Sequence, residues 1–164
     1  MALITSPTDM IPDLNYEYHT ITVDTLGQDS ANTFTCFLNQ PLKNIVQARL
    51  VAARINTTTA TEHCYISIDE LNSTFNDRAS NIYDAQAPLS VLRNSFASLV
   101  TTDDTGIISF RDNYPIAVQY INHIRRIDRL TINIRNEDAV LITPPNPAEN
   151  NFLVLRFVCR KPNL

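Results

Sequence analysis

Ile45-Val46-Gln47-Ala48-Arg49-Leu50-Val51-Ala52-Ala53-Arg54-Ile55 is the stretch on which the fold turns. Its Ala, Leu and Arg content suits a helix. Read at period 2, its apolar residues fall on both faces. Val46, Ala48, Leu50 and Ala52 lie on one, and Ile45, Val51, Ala53 and Ile55 on the other. A central strand covered on both sides has the same appearance, so local composition leaves helix and strand equally open.

The surrounding chain resolves toward strands. Cys64, Ile66 and Ile68 alternate with Tyr65, Ser67 and Asp69, and Leu130, Ile132 and Ile134 with Thr131, Asn133 and Arg135. Leu153, Leu155, Phe157 and Cys159 share a face opposite Val154, Arg156, Val158 and Arg160. Ile21 and Val23 alternate with threonines and Asp24, and Phe34, Cys36 and Leu38 with Thr33, Thr35 and Phe37. Each pattern fits a strand with one face in a core. Gly27-Gln28-Asp29-Ser30 marks a turn, and Asp103-Asp104-Thr105-Gly106 predicts a hairpin joining residues 96–101 to 107–110. Pro144-Pro145-Asn146-Pro147 reads as an extended connection. Short helices are expected over Ala79–Ala87 and Val118–Arg126.

These signals predict an all-β fold: an antiparallel β-sandwich, a single jelly roll of about eight strands. The expected core is Ile21, Val23, Phe34, Cys36, Leu38, Val51, Ile55, Ile66, Ile68, Phe96, Leu130, Ile132, Ile134, Leu153, Leu155 and Phe157. Residues 15–164 read as one domain. Residues 1–14, with Pro7, Pro12 and scattered Leu3, Ile4, Met10 and Ile11, read as an extended apolar arm that packs on something.

Composition removes many functions. The 164 residues are 44% hydrophobic, which argues against disorder. The two glycines, Gly27 and Gly106, are far apart, so no Gly-rich phosphate loop exists. A net charge of -4 and the absence of a Lys/Arg-rich tail argue against direct nucleic-acid binding. No 18-residue apolar run predicts a membrane span. Cys36, Cys64 and Cys159 form no CxxC pair and read as buried small hydrophobes in a reducing compartment, with the sequons at Asn56 and Asn72 taken as chance.

No catalytic constellation emerges, so an enzyme is not expected. His19, His63 and His123 are scattered, which predicts no metal and no cofactor. No Ser stands in a GxSxG elbow. Asp69 and Glu70 are neighbours on what reads as a strand and point apart; Asp103-Asp104 is turn chemistry. Tyr16 and Tyr18 could stack on a sugar, but Trp is absent. A lectin-like jelly roll that binds a glycan is therefore the alternative reading. The densest charge is His123-Ile124-Arg125-Arg126-Ile127-Asp128-Arg129. Arg is enriched at protein interfaces, and only 18% of the chain is charged, below the roughly 25% of typical soluble domains. The candidate subunit interface is thus Leu3, Ile4, Met10 and Ile11 of the arm together with Arg125, Arg126 and Arg129.

Three segments carry a resemblance. Residues 41–56, from Pro41-Leu42-Lys43-Asn44 to Ile55-Asn56, are similar to a motif of small capsid proteins of large double-stranded DNA viruses. These are the single jelly-roll penton and minor capsid proteins of the nucleocytoplasmic group and its relatives. Ile66-Ser67-Ile68-Asp69-Glu70-Leu71 resembles their strand with an acidic-Leu step, and residues 126–138 resemble a later strand and turn. Asn56-Thr57-Thr58 stands where the family pattern has a proline, and Asp138-Ala139 where it has Asp-Gly. The resemblance implies that Ile45–Ile55 is a strand. It further implies a virion protein made in the host cytoplasm, a homopentameric penton subunit or a cement protein that contacts other capsid proteins.

Overall fold

The computed structural model describes residues 15–29, 32–57, 61, 63–71, 95–100, 106–136, 141–142 and 150–162. Six strands form one antiparallel sheet: β1 (Tyr16–Asp24), β2 (Thr33–Asn56), β3 (His63–Ile68), β4 (Ala97–Val100), β5 (Ile107–Asn136) and β6 (Phe152–Arg160). Their order is β1-β6-β2-β5-β3-β4. A single turn of 3-10 helix, Asp69–Leu71, follows β3.

β2 has 24 residues and would span about 80 Å if straight. Instead, Asn32 and Asn56, at its two ends, both hydrogen-bond to Asn151. The strand is folded back on itself, and its antiparallel partner β5 bends with it. Thr33–Phe37 pairs with Arg129–Asn133, and Gln47–Asn56 with Ile107–Gln119. The second half of β2 continues through β6 to β1, whereas the second half of β5 continues through β3 to β4. β2 and β5 each run through both zones of the curled sheet, so that the six described strands enclose one core. This is the expected all-β, jelly-roll-like architecture.

Ile45–Ile55 lies wholly within β2. At Ile45/Gln47 and Leu50/Ala52 the register shifts: against β6, Val46 and Val51 are extra residues of β2, whereas against β5 the extra residues lie on β5. Each bulge shifts the alternation by one position. Ile45, Ala48, Leu50, Ala53 and Ile55 all turn inward as a result, and all are buried. Their uneven spacing of three and two mimics a helical stripe, which explains the ambiguity in the sequence. Val51, expected in the core, is only half-buried because it is a bulge residue. Ile21, Cys36 and Leu38 pack against the core half-buried, and the remaining expected core residues are buried.

Two further expectations are corrected. Val118–Arg126 is part of β5, not a helix: Gln119 and Val118 pair with Gln47 and Ala48 of β2. Val118 and Tyr120 pack on the core, and the Tyr120 hydroxyl donates to the Leu71 carbonyl at 3.2 Å. Cross-strand pairing overrides local propensity here. The predicted pairing of residues 96–101 with 107–110 is also corrected among the described residues: β4 pairs with β3, while the start of β5 pairs with the end of β2, and the turn residues Asp103, Asp104 and Thr105 lie outside the described residues. The turn at Gly27 is as expected. Gln28 N–H donates to the Thr25 carbonyl at 3.1 Å, and Gly27 has φ of 75°, as position i+2 of a type II turn requires. The expected helix at Ala79–Ala87, the proline connection at 144–147 and the arm residues Leu3, Ile4, Met10 and Ile11 lie outside the described residues.

Candidate interaction surface

The two ends of the curled sheet differ in chemistry. At the end where β2 begins and finishes, a buried amide cluster closes the core. Asn151 accepts from Asn56 N–H at 2.8 Å through Oδ1 and donates through Nδ2 to Asn32 Oδ1 at 3.3 Å. The Asn151 N–H donates to Thr25 Oγ1, and Thr25 N–H returns a bond to the Asn151 carbonyl. Asn56 Nδ2 donates to the Asn150 carbonyl at 2.7 Å. Thr25, Asn32, Asn56 and Asn151 are all buried. Buried amides stay only where hydrogen-bonded, and these bonds tie β1, β2 and β6 together. Sequence reasoning missed this cluster, because Asn32, Asn56 and Asn151 are far apart in the chain and each resembles an ordinary turn residue.

At the opposite end the β2–β5 ribbon turns its corner. The register shifts by several residues between Phe37 and Leu42 of β2, and again where Gln47↔Gln119 gives way to Ile45↔Ile124. Asn44, between the two, adopts φ of 53°. Among non-glycine residues Asn tolerates this left-handed backbone best. Beneath the corner, Glu70 takes over where β3 stops pairing. Its carboxylate accepts from Thr131 N–H at 2.7 Å and Thr131 Oγ1 at 2.9 Å, and it lies 3.4 Å from Arg129 Nε. Leu71 beside it is fully buried. The acidic-Leu step is thus a strand cap.

The corner brings Arg125, Arg126 and Arg129 onto one exposed segment of β5. Arg126 reaches Asp128 at 3.7 Å as an exposed pair that contributes little to stability, whereas Arg129 reaches the mostly buried Glu70. The structure adds three residues that sequence reasoning did not place there. Lys43 stands opposite Arg126, and the side chains of Phe37 and Ile121 are 77% and 89% exposed. Phe37 was legible as outward-facing by alternation, whereas Ile121 was hidden inside the expected helix.

Other sequence candidates remain separate. His19 on β1 lies 3.5 Å from Glu17, His63 on β3 packs edge-on against Tyr65, and His123 is exposed at the corner. Among the described residues no group of His, Cys, Asp or Glu could hold a metal ion. None of the three cysteines forms a disulfide. Burial, with the Glu17 carboxylate nearby, pushes the Cys159 thiol up to about 11, and burial together with Asp24 raises that of Cys36. Both thiols are protonated at neutral pH and poor nucleophiles. Among the described residues no helix is long and apolar enough to cross a membrane. No protein-family model matches the chain, and no curated protein matches it.

Proposed function

We propose that this chain is a structural subunit of the capsid of a large double-stranded DNA virus, acting as the penton at the vertices. One observation carries the reading: the three segments that resemble penton and minor capsid proteins come together around the folded-back ribbon. Residues 41–56 form the inner length of β2, residues 126–136 the end of β5, and Ile66–Leu71 flanks that end through β3 and Glu70. Within them, Asn44 and Glu70 occupy the positions that turn and cap the ribbon. A motif concentrated at such structural positions is what a family with a common scaffold and variable surfaces would share.

In this role the sheet acts as a rigid wedge. Subunits related by a closed rotation meet through two different surface patches, which generates a ring rather than a filament. The exposed corner and the arm supply such patches, and contacts to other capsid proteins surround the ring. The protein would be made in the host cytoplasm and retained in the virion shell.

Native mass spectrometry over a range of protein concentrations tests the proposal. A closed pentamer, five times the 18.5 kDa chain or about 92 kDa, is expected. A monomer at every concentration that binds glycans on an array would overturn it in favour of a lectin-like module.

A further inference from the structure

The corner and the closed end each present an exposed patch, and the two patches are complementary. At the corner, Phe37 and Ile121 are the most exposed large apolar side chains among the described residues. Around them, again among the described residues, Lys43, Arg125, Arg126 and Arg129 outnumber the carboxylates of Asp128 and Glu70. At the closed end the turn after β1 presents the reverse chemistry. Leu26 stands at its tip, 72% exposed, between the exposed Asp24 and Asp29.

One exposed leucine is ordinary on a protein surface. This one is set apart by its acidic neighbours and by how firmly it is held out. Beneath it, Thr25 N–H donates to the Asn151 carbonyl at 3.1 Å, and Thr25 Oγ1 accepts from Asn151 N–H at 2.9 Å. Gln28 N–H closes the turn on the Thr25 carbonyl, and Leu26 N–H donates to Asp24 Oδ1 at 3.0 Å. The buried amide cluster thus fixes the base of an acidic, apolar knob. A knob already fixed loses little freedom on binding.

β1 sets the distance between the two patches. Tyr16, at its start, pairs with Arg160, and the adjoining Cys159 pairs with Ile45 at the corner. Asp24, at its end, leads into the knob. Nine strand residues put these ends about 27 Å apart. A turn pinned at its base cannot cross that distance to its own corner, whereas a second copy can bring its knob there. Opposite charges favour this pairing over corner against corner or knob against knob, each of which sets like charges face to face. The contact is heterologous, so it repeats from copy to copy until it closes in a ring or runs on as a filament.

We infer that the 24–29 turn of one copy docks on the corner of a second copy, with Leu26 against Phe37 and Ile121, and Asp24 and Asp29 facing Lys43 and the corner arginines. This contact rests on the capsid reading, in which copies of the chain assemble, and it names the surface that the corner meets.

Sedimentation velocity of the full chain over a range of concentrations tests the contact. Asp29→Lys and Arg125→Glu, both at exposed positions, should each weaken self-association about tenfold, and the double variant should return it to within about threefold of the natural chain. Leu26→Ser should weaken it too, and carries the test with Ile121→Ser should circular dichroism show that a charge variant has not folded. Self-association that no single variant weakens overturns the inference, as does a double variant no stronger than the single ones, or a chain monomeric at every concentration. A closed pentamer that persists in every variant overturns the inference and leaves the penton reading standing. Open chains that respond to the variants keep the inference and remove the penton.

Discussion

The closed end and the corner end both stop strands and send the chain back, by opposite means. At the closed end the turning backbone is buried, and uncharged side chains satisfy it: Asn32, Asn56, Asn151 and Thr25. At the corner the backbone turns in solvent, with the left-handed residue Asn44, bulged strands and exposed arginines. Burial makes each hydrogen bond at the first end costly to lose, because a stranded polar group has no water to turn to. Exposure makes each contact at the second end weak and exchangeable. The closed end therefore suits holding the fold, and the corner suits meeting a partner.

This contrast is sharpest at Asn151. Replacing it by Ala leaves the buried Asn56 N–H without its acceptor and should cost about 3 kcal/mol, or roughly 6–12 °C in Tm. A urea titration followed by circular dichroism measures it, and a loss below about 1 kcal/mol would break the comparison. Glu70→Ala comes next, because Glu70 belongs to the corner yet is mostly buried. Its bonds to Thr131 are charge-assisted, and their loss should cost about 2 kcal/mol in the same titration. The smallest effects belong to the exposed turn. Asn44→Val should cost about 1–2 kcal/mol for its left-handed backbone, whereas Asn44→Gly should stay within about 0.5 kcal/mol. Equal losses for the two variants would mean that the Asn44 side chain, not its backbone, holds the corner.

Legibility follows the same division. β3, the end of β5 and β6 were readable because their alternation is unbroken: Cys64, Ile66 and Ile68, then Leu130, Ile132 and Ile134, then Leu153, Leu155 and Phe157 all point inward and are buried. Arg125, Arg126 and Arg129 were readable as an exposed cluster from charge alone. Lys43, Phe37 and Ile121 joined them only through the pairing of β2 with β5.

The sequence by itself determined the class of the fold, since period-2 alternation states which face of a strand seeks the core without reference to any partner. It also determined the turn at Gly27, where the positive φ calls for glycine. Tertiary structure alone decided where that alternation slips. Val46 and Val51 are extra residues only in the pairing with β6, while across the same steps β5 carries the extra residues, because the register of a strand is a property of the pair. It alone decided, too, that Asn32, Asn56 and Asn151 meet. Their hydrogen bonds join residues about a hundred positions apart, and a chain signals such a meeting only once it has folded.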